Sequence, residues 1–146
     1  MSDFDINFPW IKYGVQDKTN KIKEKMDELK SAPWSPFNGC DYAEIFIFCM
    51  SYGFAKKREP IQPPDSQGSM PPSAFKRDMR DFMKAVAISS TNDLDVITKP
   101  NEVAKICEGY AYASFQEVYD KIKEDTSSSP EMILDLMLQE IETSRK

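Results

Sequence analysis

Apolar residues recur at helical spacing over most of this chain. Ile22, Met26 and Leu29 stand three and four positions apart, which predicts an amphipathic helix with one narrow apolar stripe. Asp17 or Thr19 can cap its start, and the helix is expected to end near residue 31, before the prolines at 33 and 36.

The most apolar predicted helix runs from a cap at Asn38 or Asp41 to Tyr52. Apolar side chains lie on nearly all of its sides, so we expect it to be the central and most buried helix. Gly53 follows, and we expect it at the C′ position, where a left-handed conformation closes a helix. Phe54 would then make the accompanying hydrophobic contact.

Three further helices are predicted in the second half. One covers about 73–89, and another begins with a proline at its first position and extends over about 100–123. The second of these is expected to kink or break within 109–114, where small residues would also let another helix approach closely. Asp93 can cap a single turn between them, and the last helix occupies 130–143.

Two segments do not fit a helical pattern. Residues 1–16 alternate aromatic and polar positions, which predicts an extended aromatic arm packed on the body, and residues 55–72 contain five prolines, which predicts a long irregular loop. With 146 residues, the chain suits one domain. The predicted fold is therefore all-α: a single-domain bundle of about five helices with a long proline-rich loop.

Composition removes most catalytic classes. The chain has no histidine, which excludes His-based acid–base catalysis, Ser-His-Asp sites and the commonest zinc sites. It has no Gly-rich phosphate loop, and Cys40, Cys49 and Cys107 show no CxxC spacing. We therefore predict no catalytic residues, no metal site and no cofactor, and expect a protein that is not an enzyme.

Charge gives a more open picture. The net charge is −5, yet residues 53–84 hold seven Lys and Arg against four Asp and Glu. The cluster Lys56, Lys57 and Arg58 follows a predicted helix end, where cations are favoured by the helix dipole. It can also meet phosphate or an acidic partner. Since Pro60 keeps Glu59 extended, we expect this cluster to project from the surface; the alternative is that Arg58 forms a structural ion pair or stacks on Tyr52.

The expected location is the cytoplasm. An odd set of cysteines without motif spacing fits a reducing compartment. No basic start followed by an apolar run predicts a signal peptide, and no apolar run reaches the length of a membrane span. No membrane association is expected.

Several short motifs follow one another between residues 41 and 123. They are Ser-Tyr-Gly-Phe at 51–54, Arg-Glu-Pro-Ile at 58–61, Ser-Ala-Phe at 73–75, Ala-Val-Ala-Ile at 85–88, Asn-Asp-Leu-Asp-Val-Ile at 92–97 and Glu-Gly-Tyr-Ala at 108–111. In order and spacing this resembles the small Dnd system-associated protein family, encoded beside DNA phosphorothioation genes in bacteria and archaea. Asn92 departs from a Gly that is frequent there, and residues 112–114 replace an Asn-Gly-Gly.

The resemblance implies a function without implying a reaction. It suggests a non-catalytic accessory protein of a phosphorothioation-linked defence system, whose partners are other proteins of that system. The candidate partner- or phosphate-binding residues are Tyr52, Lys56, Lys57, Arg58, Pro60, Tyr110 and Tyr112. The alternative is a DNA-binding or regulatory protein that acts through the basic region 53–84, although the net charge of −5 opposes DNA binding.

Overall fold

The computed structural model describes residues 3–13, 22–63, 69–124, 137–139 and 141–142. Its elements are α1 (Asp3–Ile6), β1 (Ile11–Lys12), α2 (Ile22–Ser31), α3 (Tyr42–Ala55), β2 (Ser69–Met70), a 3-10 turn (Pro72–Ala74), α4 (Arg77–Thr91), a second 3-10 turn (Leu94–Thr98) and α5 (Pro100–Glu124). The predominantly all-α fold is as predicted. The strands β1 and β2 form a short antiparallel pair in which Ile11 lies opposite Met70.

The core is centred on the packing of α3 against α5. These two helices share the most extensive interface between elements of the described chain, and α4 lies against α5 beside it. The α3 side chains Ile45, Cys49 and Met50 are fully buried, as are Val103 and Cys107 of α5. Burial of such apolar area is the main favourable term in folding, so this helix pair positions everything else.

Helix α3 begins as the sequence predicts, at the second of the two proposed caps. The Asp41 carboxylate accepts a hydrogen bond from the Glu44 backbone N–H at 2.9 Å, and the Glu44 side chain accepts from the Asp41 N–H at 3.2 Å. This reciprocal capping box satisfies two amide donors at the helix start.

The end of α3 differs from the prediction. Gly53 lies inside the helix, and Lys57 takes the left-handed conformation with φ 57°. The Arg58 N–H donates to the Gly53 carbonyl at 2.9 Å, and the Lys57 N–H donates to the Phe54 carbonyl at 3.1 Å. These two bonds form a Schellman motif with a lysine at C′, where glycine is usual. The expected roles of Gly53 and Phe54 in closing the helix are therefore wrong.

Gly53 serves helix packing instead. A Cβ placed there would lie 2.6 Å from the carbonyl oxygen of Tyr110 and would also overlap the Ser114 hydroxyl, both on α5. Only a residue without a side chain allows this approach. The expected close approach of another helix to the small residues of 109–114 is found at Ser114, whereas Gly109 faces Pro60. The predicted break in this region is wrong, because α5 continues through it.

The N-terminal residues are not a simple extended arm. Residues 3–6 form a helical turn, and only residues 11–12 are in a strand. Phe4, Phe8 and Ile11 are buried against the body, whereas Ile6 is 65% exposed, so the buried residues follow a spacing of four and three and not an alternation. The segment is held to α5 by the Glu108 carboxylate, which accepts a hydrogen bond from the Lys12 backbone N–H at 2.6 Å.

The region around α4 partly follows the pattern. Asp93 caps the second 3-10 turn by accepting from the Asp95 N–H at 2.9 Å, as predicted. Helix α4 starts later than expected, at Arg77, after its own 3-10 turn. Phe82 belongs to the predicted apolar stripe but is 43% exposed.

The remaining predictions on helices lie partly outside the described residues. Of the predicted helix 130–143, residues 137–139 and 141–142 are described and helical. The proposed caps at 17 and 19 and part of the proline-rich loop also lie outside. Within the part of the chain that the structure describes, no helix combines the length and apolar character needed to cross a membrane.

Candidate functional site

Most of the predicted site residues meet at one open groove beside the C-terminal ends of α3 and α4. The groove has a volume of ≈ 480 Å³ and is called here the Tyr110 groove. Its lining comprises Phe54, Ala55, Lys57, Arg58, Glu59, Pro60, Ser89, Ser90 and Tyr110. Three predicted residues, Lys57, Arg58 and Pro60, thus lie in the same depression as the predicted Tyr110.

One wall of the Tyr110 groove is a proline-containing segment fixed on the surface of α5. The Ile61 N–H donates to the Gly109 carbonyl at 3.1 Å, and the Gln62 amide Nε2 donates to the Lys105 carbonyl at 2.9 Å. Gly109 permits this contact, because a Cβ there would lie 2.8 Å from the Pro60 Cβ. The start of the proline-rich loop is therefore tied down where it forms the groove.

Arg58 forms the link between this wall and α5. Its Nε donates to Glu117 Oε1 at 2.9 Å and its Nη2 to Glu117 Oε2 at 2.7 Å, a bidentate pair. Hydrogen bonding to Arg58 holds the pKa of Glu117 below its usual value. The Arg58 side chain is 41% exposed, so it still reaches solvent. Arg58 is thus a structural ion pair first, and the expectation that the whole cluster simply projects from the surface is wrong.

Tyr52 is not a surface residue. Its side chain is fully buried, and its hydroxyl donates to Glu117 Oε2 at 3.0 Å. Lys56 lies over the Tyr52 ring with its Nζ 6.0 Å from the ring centroid, at the outer limit of a cation–π contact. Tyr52 therefore supports the Arg58–Glu117 pair through its hydroxyl, and the expectation that it belongs to an exposed surface is wrong.

The two tyrosines of α5 point to different sides. Tyr110 lines the Tyr110 groove, where its hydroxyl lies 3.1 Å from Ser90 Oγ and its ring meets the Phe54 ring edge-on at 5.6 Å. Tyr112 instead lines a small apolar cavity with Tyr13 and Met26. Two positions along a helix correspond to a rotation of about 200°, so the predicted grouping of Tyr112 with Tyr110 is wrong.

Several residues of the site are absent from the predicted set: Phe54, Ala55, Glu59, Ser89, Ser90 and Glu117. Glu117 follows Tyr110 by seven positions on α5, and this spacing places both on one helical face; it was the available signal. Ser89 and Ser90 come from the end of α4, and nothing in their sequence context separates them from other exposed serines.

Charges in and around the Tyr110 groove nearly balance. Lys57 and Arg58 are offset by Glu59 and by Glu117 behind them. The hydroxyls of Ser89, Ser90 and Tyr110 add neutral donors and acceptors. The groove can therefore bind a partner surface that is partly polar and partly apolar, through hydrogen bonds and ring contacts. Its described lining has no excess of positive charge that would favour binding to a phosphate backbone.

Arg80 and Lys84, two further cations of the basic region 53–84, form contacts within the protein itself. Arg80 donates to the carbonyls of Phe75 and Pro72 at 3.0 and 2.7 Å and pairs with Asp5 at 3.3 Å. Lys84 lies 3.7 Å from Asp81 and above the Phe4 ring. The basic count in the sequence therefore overstates the positive surface.

No metal-binding group stands out in the residues that the structure covers, where three or more His, Cys, Asp or Glu side chains nowhere cluster closely enough to hold an ion. The fold and the site thus define a small helical protein whose clearest surface feature is an open, charge-balanced groove, built on a three-residue anchor of Tyr52, Arg58 and Glu117.

The chain belongs to the family described as DNA sulphur modification system-associated protein 4, whose model matches residues 16–146. This confirms the resemblance drawn from the motifs between 41 and 123 and extends it to most of the chain. Neither the curated proteins nor the solved structures include a match. The family is associated with DNA sulphur modification systems.

Proposed function

We propose that this chain is a non-catalytic accessory protein of a DNA sulphur modification system, and that it binds another protein of that system through the Tyr110 groove. The observation that carries the proposal is the anchored wall of the groove. The segment 58–62 is fixed to α5 by the Arg58–Glu117 pair and by two hydrogen bonds to α5 carbonyls. A surface that is already ordered loses little entropy when it binds a partner.

The lining chemistry supports a protein partner. Aromatic side chains with polar tips are enriched at protein interfaces, because one residue offers both apolar contact and a hydrogen bond. Tyr110 has this character, but only 9% of it is exposed, at the inner side of the groove. The half-buried Phe54 and the exposed Ser89 and Ser90 offer the more accessible contacts. Lys57 and Glu59 present one charge of each sign, which suits selection of a protein surface more than of a polyanion.

Absence of histidine from the sequence supports a non-catalytic role. The three cysteines are free, and two of them are buried, which supports a reducing cytoplasm as the place of action. A role in antiviral defence goes with the system and is part of the same proposal.

DNA binding is the second candidate, based on the basic region 53–84. It is disfavoured by the internal contacts of Arg58, Arg80 and Lys84 and by the net charge of −5. Lys57, Lys76 and Arg77 remain exposed. A DNA interface built on these would give binding that falls steeply with salt.

The test is co-purification with the protein components of a DNA sulphur modification system from the same organism, expressed together with this chain. Ser89 is exposed at the groove rim, so Ser89→Arg should block the groove while the fold is kept. Ser31→Arg is the matched control, since Ser31 is also exposed, also lies in the last turn of a helix and does not line the groove.

The expected result is a complex that Ser89→Arg weakens about tenfold or more and that Ser31→Arg leaves intact. The proposal is overturned if no component of the system binds, or if both variants bind as well as the unaltered chain. Gel shifts on plain and phosphorothioated duplex at low salt decide the DNA alternative, which fails if neither duplex is retarded.

A further inference from the structure

A second groove, on another face of α3, is larger and almost entirely apolar. It has a volume of ≈ 510 Å³ and is called here the Phe82 groove. Its lining comprises Pro36, Phe37, Cys40, Glu44, Ile47, Phe48, Ser51, Phe82, Leu138 and Ile141. It shares no residue with the Tyr110 groove.

The groove exists because α3 is apolar on more sides than the fold covers. Ile45, Cys49 and Met50 face the core and are buried, whereas Ile47 and Phe48 are only half-buried and form the floor of the groove. The expectation that α3 is buried on all sides is therefore correct for the core side and wrong for the side that carries Ile47 and Phe48. An apolar helix face that is left open marks an interaction site more often than a random exposure does.

The two side walls each expose a large apolar residue. Phe82 of α4 is 43% exposed, and Leu138, from the helical residues near the C-terminus, is 52% exposed. Covering these side chains with a partner would remove their apolar surface from water, which favours binding through the hydrophobic effect. The groove thus offers apolar anchoring points on floor and walls together.

Its polar side chains are already engaged. The Glu44 carboxylate accepts from the Asp41 N–H in the capping box of α3, and the Ser51 hydroxyl donates to the Ile47 carbonyl at 2.7 Å. Small-molecule sites usually present a few convergent polar groups that orient the ligand. Here the Ser51 hydroxyl and one oxygen of the Glu44 carboxylate serve α3 itself, so they do not converge on a small ligand. The Glu44 side chain is exposed, and its charge remains available at the groove.

Charge decides between the remaining occupants. Glu44 is the one charged residue that lines the groove in the described part of the chain. A second copy of this chain carries the same net charge of −5, so self-association would bring like charges together. A helix that carries lysine or arginine beside its apolar stripe would meet the acidic side chain favourably.

We propose that the Phe82 groove is a docking site for a basic amphipathic helix of a partner protein. The apolar stripe of that helix lies on Ile47 and Phe48 between Phe82 and Leu138, and its basic flank faces Glu44. This surface is separate from the Tyr110 groove, so the proposal goes beyond the proposed function and does not rest on it.

The test uses synthetic helices as probes on the full chain. An amphipathic helix of leucine and lysine should bind, whereas its leucine–glutamate counterpart and a scrambled leucine–lysine peptide should not. Phe82→Glu and Leu138→Glu change exposed lining residues that belong to different helical segments, so at least one of them should fold normally. Each should weaken the leucine–lysine complex about tenfold or more. Leu94→Glu is the matched control, because Leu94 is 70% exposed and lies outside the groove.

Cys40 supplies an independent reading of occupancy. It lines the groove and is partly exposed, whereas Cys49 and Cys107 are buried. Burial raises the pKa of all three thiols, so labelling with a chromogenic disulfide reagent is best measured at mildly alkaline pH. The leucine–lysine helix should slow labelling of Cys40, and Cys40→Ser should remove the labelling signal.

Three outcomes overturn the proposal. One is that the leucine–lysine helix does not bind. Another is that the scrambled peptide binds equally, or that Leu94→Glu weakens binding as much as Phe82→Glu does, since this indicates a general charge effect. The third is a dimer in analytical ultracentrifugation that Phe82→Glu dissociates, because a second copy then occupies the groove.

Discussion

Gly53 and Gly109 each allow a close contact with α5, but the two contacts serve different purposes. The first packs the central helices of the fold, and the second positions one wall of the Tyr110 groove. Gly53 of α3 lets the backbones of the two central helices approach, and its surroundings are the Tyr110 carbonyl and Ser114. Gly109 of α5 admits the proline segment, and its surroundings are Pro60 and the Gln62 side chain. The first contact lies between two packed helices, while the second lies between a helix and a surface segment that is held by one ion pair and two hydrogen bonds.

The same substitution at these two positions should therefore have different consequences. Added volume in a helix–helix interface must be absorbed by two packed elements, and overpacking of this kind costs about 1–3 kcal/mol and occasionally more. Added volume under a surface segment can be absorbed by displacing the segment. A change at Gly53 tests the stability of the whole domain, and a change at Gly109 tests the shape of the Tyr110 groove.

The largest effect is expected for Gly53→Ala. The new Cβ would lie 2.6 Å from a backbone oxygen of α5, which has no freedom to rotate away. We expect a loss of about 3 kcal/mol in the free energy of unfolding, measured by urea denaturation. A loss below about 1 kcal/mol would show that the two helices separate easily and would remove the contrast.

Ser114→Ala in the same background sharpens this result. Among the described residues, Ser114 Oγ is a buried side-chain oxygen without a hydrogen-bond partner, so its removal alone should cost little. In the double variant it should restore only part of the lost stability, because the clash with the Tyr110 carbonyl remains. Complete recovery would contradict the importance of the backbone contact.

The next effect concerns the anchor of the groove. Glu117→Ala removes the acceptor of the buried Tyr52 hydroxyl as well as the partner of Arg58, and we expect a loss of about 2 kcal/mol. Arg58→Ala leaves the Tyr52 bond in place, and since the Arg58 side chain is 41% exposed we expect a loss of about 0.5–1 kcal/mol. Thermal or urea unfolding of both variants measures the difference; equal losses would contradict it.

The pH dependence of this anchor has a defined sign. Because the folded pKa of Glu117 is lowered by Arg58, its contribution to stability is present above the pKa of an unfolded glutamate and is lost as pH falls through the folded value. The stability difference between the unaltered chain and Glu117→Gln should therefore be largest near neutral pH and should shrink in acid. A difference that grows in acid would reverse the assignment.

A smaller effect on stability is expected for Gly109→Ala. Alanine favours the helix by about 1 kcal/mol over glycine, which offsets part of the strain with Pro60. We expect unfolding stability within about 1 kcal/mol of the unaltered chain, with loss of hydrogen-exchange protection at the Ile61 amide and of binding at the Tyr110 groove. Retained protection at Ile61 would show that the segment does not depend on Gly109.

The smallest effect is a gain. Lys57 holds a left-handed conformation that costs an L-residue about 1–2 kcal/mol, and glycine adopts it freely at some cost in chain entropy. Lys57→Gly should stabilise the fold by about 0.5–1 kcal/mol. Asn92→Gly is the matched comparison at the end of α4, with φ 54°, and should gain less because asparagine tolerates this conformation. Equal gains would contradict this explanation.

Local signals in the sequence predict the helices well. Two caps each involve residues only two or three positions apart. Asp41 and Glu44 cap α3, and Asp93 caps the short turn that follows it. Such contacts depend only on neighbouring positions, which a single sequence displays directly.

The wrong predictions concern residues whose sequence pattern fits a local role and a long-range contact equally well. Glycine after an apolar run fits a helix end and a close helix contact equally, and only the position of α5 selects the second for Gly53. The sequence likewise places Tyr52 and Arg58 in an exposed surface cluster. It does not reveal their common partner, Glu117, because that residue lies more than fifty positions further along the chain. The position of the groove was partly predictable, whereas the division between anchor and exposed lining was not.

The separation of α3 and α5 along the chain also bears on how the protein is made. During synthesis, α3 leaves the ribosome before α5, the helix that covers its core side. The hydrogen bond between the Lys12 N–H and Glu108 also forms only after α5 has been made. At roughly 5–20 residues per second, the roughly 70 residues between the ends of the two helices take about 3–14 s. Throughout that interval the most apolar helix of the chain is exposed to other nascent chains and to chaperones, so production of the folded protein depends on the rate at which its second half is translated.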